Sequence, residues 1–159
     1  YVNMAIDTRD GENFVNNTDR FSYFNQLIIS RKVTDAFSVQ VSPSWSHFNA
    51  VEGYVNEDGD IEGKMNNDHF AIAFGGRYKV SNQMAIIVNY DQPLTKHTTN
   101  NPEPNISVGI EVSTSAHAFQ IFAGNYYSII PQLNNMYNQN DYREGQFLIG
   151  FNITRLWNF

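Results

Sequence analysis

Phe147-Leu-Ile-Gly-Phe-Asn-Ile-Thr-Arg-Leu-Trp-Asn-Phe159 puts Phe147, Ile149, Phe151, Ile153, Trp157 and Phe159 on alternate positions, with Arg155 the one departure. Between them fall Leu148, Gly150, Asn152, Thr154 and Asn158, mostly small or polar. A period of two with one apolar and one wet face is a β-strand. The apolar face runs to the last residue, so it has no ordinary core edge to tuck under.

The rest of the chain repeats the pattern. Strand signal falls in eight segments, at about 1–7, 20–33, 37–48, 68–80, 84–91, 105–113, 116–127 and 145–159. Phe37, Val39, Val41 and Trp45 alternate with Ser38, Gln40, Ser42, Ser44 and Ser46; Ile106, Val108, Ile110 and Val112 alternate with Ser107, Gly109, Glu111 and Ser113. The second and seventh segments are less tidy, with Phe24, Ile28 and Phe122 on the wet face. The connections at 8–19, 49–67, 92–104 and 128–144 are long, and those at 34–36, 81–83 and 114–115 are short. Strict alternation puts every tight turn on one rim and every long loop on the other. That is how up-and-down outer-membrane barrels are built, and a Greek-key sandwich has no reason to obey it. All the acidic residues except Asp35 and Glu111 lie in the long loops or at strand ends beside them, while Arg31, Lys32, Arg77, Lys79 and Arg155 lie towards the tight turns. Tyr23, Trp45, Tyr78, Tyr90 and Trp157 lie near strand ends, where amphipathic rings suit a membrane interface.

Composition agrees. The 159 residues make one domain spanning 1–159, and a mean hydropathy of −0.42 leaves no room for a transmembrane helix. Barrel strands hide their hydropathy by alternation. The chain has no cysteine, which excludes disulfides and thiol chemistry, and its net charge of −6 gives no basic footprint for nucleic acid. No leader segment opens it, so it is expected to be a mature protein or the C-terminal part of a longer one.

Several stretches carry a family resemblance. Arg20-Phe-Ser-Tyr-Phe-Asn-Gln-Leu-Ile-Ile-Ser-Arg-Lys32, Val41-Ser-Pro-Ser-Trp-Ser-His47, Asn67-Asp-His-Phe-Ala-Ile-Ala-Phe-Gly-Gly-Arg-Tyr-Lys79, Ala116-His-Ala-Phe-Gln120 and Gly150-Phe-Asn-Ile-Thr-Arg155 resemble a family of outer-membrane β-barrels of unknown function from Bacteroidetes-type bacteria. The resemblance covers nearly the whole chain and implies about a dozen strands in the complete barrel, of which this chain would supply the C-terminal eight. It implies no catalytic residue and no cofactor.

The fold expected is therefore an all-β, antiparallel, up-and-down transmembrane barrel in the bacterial outer membrane, with long loops extracellular and both ends periplasmic. Gln40, Ser42, Arg77, Asn89, Glu111 and Asn152, with Gln26 and Gln120, are expected to line the lumen, with Arg77 and Glu111 bridging between strands. Phe70, Ile72, Phe74, Ile110 and Phe151 are expected to face lipid. Phe151, Ile153, Trp157 and Phe159 form the expected signal for the barrel-assembly machinery.

Three patterns could carry chemistry. His47 and His69 flank one connection near the long-loop rim, with Asp68 the nearest third metal ligand. Alternation points His47 outward and His69 inward; His117 lies at the opposite rim and His97 in a loop, so neither is expected to join them. Asn56, Asp58, Asp60 and Glu62 have calcium-loop spacing, but Ile61 stands where glycine is expected and Asn67 where a bidentate Glu should close the loop. Ser44 and Ser46 beside His47 are the one hydrolase-like grouping, without a nucleophile elbow. The function expected is a non-enzymatic barrel, a structural subunit or scaffold of an envelope assembly with other envelope proteins as partners. The alternatives are a porin-like channel for small polar solutes and an outer-membrane hydrolase.

Overall fold

The computed structural model describes residues 1–9 and 14–155, so Trp157 and Phe159 of the expected assembly signal lie outside the described residues. Eleven strands are present among these: β1 (Val2–Ile6), β2 (Phe21–Gln26), β3 (Ile29–Lys32), β4 (Phe37–Phe48), β5 (Gly53–Val55), β6 (Ile61–Gly63), β7 (Asp68–Lys79), β8 (Met84–Pro93), β9 (Asn105–Ser113), β10 (His117–Gly124) and β11 (Leu148–Arg155). The main sheet is an antiparallel meander ordered β1-β2-β4-β7-β8-β9-β10-β11, with β3 also on β4, and it curls into half a barrel.

Each of the eight expected segments contributes to this sheet. The second is split into β2 and β3, yet both halves keep one register on β4, with Gln26 opposite Ser44 and Ile29 opposite Val41. Pro43 lies opposite the break and has no N–H to donate, so the ladder loses a bond there while Leu27 N still donates to Pro43 O at 3.1 Å. The remaining unforeseen strands, β5 and β6, form a separate hairpin inside the long 49–67 loop. The last long loop also holds a short helix, α1 (Pro131–Tyr137), inside an otherwise antiparallel β fold.

The tight turns share one chemistry. A hydroxyl opens each turn and accepts the amide three residues on: Thr34 from Phe37 at 3.0 Å, Ser81 from Met84 at 3.1 Å and Thr114 from His117 at 3.0 Å.

Cross-strand partners share a face. One row runs Phe37–Tyr78–Ile86–Ile110–Ile121–Phe151 across six strands of the convex face, and every member is exposed. Phe70 and Phe74 lie on the same face and are exposed, whereas Ile72 is half-buried. The concave face is polar and covered: Ser42, Ser46 and His69 are all 0% exposed. The two aromatics that blurred the alternation belong to this face. Phe24 is buried opposite Ser46, and Phe122 lies between Gly109 and Gly150 in one row. A Cβ at Gly109 would lie 2.6 Å from Phe122 Cβ, and one at Gly150 would strike the Phe122 ring, so both glycines make room for that side chain.

Candidate functional site

The concave face is occupied by α1. Pro131 at its first turn presets the helical φ. The Asn-rich sequence has low helix propensity, so the helix depends on what it touches. Gln132 Nε2 donates to Ser22 Oγ at 3.1 Å, and Asn135 Nδ2 to Ser44 Oγ at 3.2 Å. On the other flank Asn105 Nδ2 donates to Asn135 Oδ1 at 3.2 Å, and Asn138 Nδ2 to Asn105 Oδ1 at 2.9 Å. Asn89 and Asn105 also donate to the Asp91 carboxylate, extending the amide chain into the β8 wall. Asn125 completes the clamp: its carbonyl accepts from Ile106 N at 2.8 Å and its amide donates to Asn140 O at 2.7 Å, tying both ends of the last loop to β9. Met136 is the buried apolar member of the helix. Hydrogen bonds between amides and serines contribute about 0.5–1.5 kcal/mol net each, so the clamp is held by their number.

The helix has two unlike sides. Ile130, Leu133 and Tyr137 face a cavity of about 630 Å3 on the long-loop side, walled by Phe14, Phe21, Phe48 and Val51. Pro131, Asn134 and Asn135 face a cavity of about 270 Å3 on the tight-turn side, lined by Gln26, Gln40, Ser44, Asn89 and Asp91. The first is mainly apolar and aromatic, the second rich in amides.

Towards the tight turns the concave face closes by ionic pairing. Arg77 Nη2 donates to Glu111 Oε1 at 2.8 Å, and Gln120 Nε2 donates to Glu111 Oε2 at 2.8 Å. The small Ala85 on the intervening strand is 1% exposed beneath the bridge. All six expected lumen residues share this face by register, though differently covered: Ser42 is sealed, whereas Asn152 on the last strand is exposed.

The histidines depart from the expectation at one point. His97 does reach His69: their rings stack at 5.2 Å between centroids, with His69 Nδ1 2.9 Å from His97 Nε2. The 94–104 loop folds inward because Leu94 N donates to Phe70 O, while Asn101 both accepts from His97 N and donates to His97 O. Asn66 N donates to His97 Nδ1 at 3.0 Å, which leaves the His97 proton on Nε2. His97 therefore donates to His69 Nδ1, and His69 carries its own proton on Nε2. Ser46 lies opposite His69, but Ser46 Oγ and His69 Nε2 are both buried without a hydrogen-bond partner, so the two are not bonded to each other. His47 is on the convex face, away from Ser44 and Ser46; its Nδ1 lies 2.8 Å from Asp68 Oδ1, which also accepts from Trp45 Nε1 at 2.7 Å. Asp68 thus serves the outer face and does not bridge His47 to His69.

The acidic loop is the turn of the β5–β6 hairpin. Asn56 Oδ1 accepts from the Asp58 and Asp60 amides, and Glu62 accepts from Tyr54 Oη at 2.7 Å and Asn56 Nδ2 at 3.0 Å. Two of these four candidates, Asn56 and Glu62, are thereby spent on the turn. Among the described residues no group of three or more His, Asp or Glu is placed to hold a metal ion.

A curled antiparallel meander, apolar on its exposed convex side and polar within, defines a membrane β-barrel wall. Residues 1–157 match the family described as Membrane bound beta barrel domain (DUF5777), and the chain belongs to that family. No match was found among curated proteins or among solved structures.

Proposed function

We propose that this chain is the wall and internal plug of a non-enzymatic outer-membrane barrel, a structural element of the envelope rather than an open pore. The observation that carries this reading is the seating of α1 across the concave face, bonded to β2 through Ser22 and to β4 through Ser44. A helix spanning the interior removes the continuous water path that conduction needs. In this reading the long loops are extracellular and both ends are periplasmic. The apolar row meets lipid, the barrel-assembly machinery inserts the chain, and other envelope proteins are its partners. The test is planar-bilayer recording. The unaltered protein is expected to give no stepwise current, and deletion of residues 129–139 is expected to produce one. Stepwise currents from the unaltered protein would favour a porin-like channel, the reading that the polar 270 Å3 cavity supports. Turnover of ester or peptide substrates by the purified barrel, abolished by Ser46→Ala, would favour a hydrolase.

A further inference from the structure

The larger cavity is the feature that a plug alone does not explain. A helix whose task is only to block a wet interior gains nothing from an apolar outward side, yet Leu133 and Tyr137 stand one turn apart on that side. Phe14, Phe21, Phe48 and Val51 complete the walls, and Phe48 meets Tyr137 edge-on at 5.2 Å between centroids. About 630 Å3 falls in the size range of small-molecule sites. The apolar part of the lining, Phe14, Phe21, Phe48, Val51 and Leu133, suits an apolar guest, while Asp7, Arg9, Asp19, Arg20 and Glu52 bring charge to the same space.

The charges at the mouth indicate what kind of guest. Arg9 grips Asp7 through Nε and Nη2 at 2.8–3.1 Å. Arg20 Nη1 donates to the Asp7 and Arg9 carbonyls at 3.0 and 2.6 Å, and its guanidinium lies 4.9 Å from the centre of the Phe14 ring. Asp19 accepts from Asn16 N at 2.8 Å. An anion would have to displace Asp7 from Arg9, and a cation would have to displace Arg9 from Asp7. The Tyr137 hydroxyl, by contrast, makes no hydrogen bond among the described residues, and Glu52, exposed beside the same cavity, meets Lys64 only loosely, with Nζ to Oε2 at 3.9 Å. The cavity also touches both faces of the sheet. Ile6 and Phe21 belong to the convex, apolar face, whereas Ala5, Ser22 and Phe48 belong to the concave one. Its lining thus includes residues of the exposed, apolar face as well as of the polar one.

We infer that this vestibule is a binding site for a single alkyl chain carrying an uncharged or zwitterionic head group. The chain lies against Leu133 and the aromatic walls, and the head lies at the mouth beside Tyr137 and Glu52. The source is either a free amphiphile or the acyl chain of a membrane lipid. The site rests on the two-sided seating of α1 and not on whether the barrel conducts.

The experiment uses the full chain in lipid nanodiscs, photolabelled in two arms. In one, a diazirine-bearing dodecanol is added from solution; in the other, a phosphatidylcholine with a diazirine in its acyl chain is built into the disc. Labelled peptides are mapped by mass spectrometry. Labelling at Phe14, Val51 and Leu133 is expected. Label from the alcohol alone assigns a free amphiphile, and label from the phospholipid assigns a lipid chain. Leu133→Trp and, independently, Val51→Trp fill the space from two different elements and should each cut vestibule labelling about tenfold or more while labelling of β8 to β10 persists. Should one variant fail to fold, as judged by its heat-shifted gel migration, the other decides. Label confined to the convex strands, or vestibule label indifferent to the filling variants, overturns the assignment.

Discussion

The two faces of one sheet invert the usual rule. Across the convex face, Phe37, Tyr78, Ile86, Ile110, Ile121 and Phe151 are exposed; across the concave face, Ser42, Ser46, His69 and Asn105 are buried. In water, burying polar groups and exposing a continuous apolar band would cost far more than the reverse. The difference teaches that the solvent outside this wall is hydrocarbon, and that the polar interior is tolerable because most of its buried groups find partners.

The sharpest way to break that comparison is charge. Phe74→Lys, on the convex face at mid-strand, is expected to destabilise the folded protein by about 2–4 kcal/mol, while Asn152→Lys, at the exposed end of the concave row, should cost less than about 1 kcal/mol. Urea unfolding of both variants in lipid measures the difference. Equal penalties would mean that the convex face does not meet lipid, and the membrane reading would fail. Ser42 is unsuitable as the second site. The sequence places it in a watery interior, but it is fully buried, so a lysine there would be penalised for crowding.

The interior can be probed next without charge. Gly109→Ala puts a methyl 2.6 Å from Phe122 Cβ and 2.7 Å from the Ile121 backbone carbonyl, neither the far end of a flexible side chain, and is expected to cost about 1–3 kcal/mol. Gly150→Ala meets only the far end of the Phe122 ring, which can rotate, and should cost less. Chemical denaturation of the pair tests that order, and a larger penalty at Gly150 would mean that the ring is locked. Asn135→Ala removes the bonds to Ser44 and Asn105 and should weaken the clamp by about 1 kcal/mol, read as faster amide exchange in 131–137 with β7 to β9 unchanged.

The smallest effect expected is with pH. Burial holds His97, in the 94–104 loop, below the usual histidine range. A base so depressed binds its proton more readily when the loop is open, so the stability it contributes is present above about pH 6.5 and declines as pH falls below that towards the folded value. The opening free energy of 94–104, read from amide exchange after correction for the fall of the intrinsic exchange rate with pH, should therefore decrease between pH 7 and 5, and His97→Gln should flatten the dependence. A loop that tightens on acidification would contradict the neutral, stacked pair.

Much of this was legible beforehand because alternation is a long-range, redundant signal. Eight strands repeat it, and a slip of one residue would turn every side chain to the wrong face. The Arg77–Glu111 bridge followed from the same parity. The helix did not: seven residues are too few for periodicity, its Asn-rich composition argues against helix, and the only local cue was Pro131. The His69–His97 contact was equally hidden, since it depends on how Asn101 closes its loop and not on any strand pattern. The hydroxyls of Thr34, Ser81 and Thr114 were readable as turn openers and mark one rim by chemistry as well as by length. Phe122 breaks the alternation because the room for its ring comes from Gly109 and Gly150, which lie beside it on the two neighbouring strands and far from each other in sequence.

The hydrogen bonds of α1 reach far along the chain: Gln132 to Ser22 spans 110 residues and Asn135 to Ser44 spans 91. Every strand of the meander, by contrast, pairs with its immediate predecessor. Hairpins can therefore close one after another at small loop entropy, whereas the helix has no site until β2, β4 and β9 already stand side by side. Closure of the sheet and seating of α1 are thus separable in time, and the concave face stays accessible until the last loop is in place.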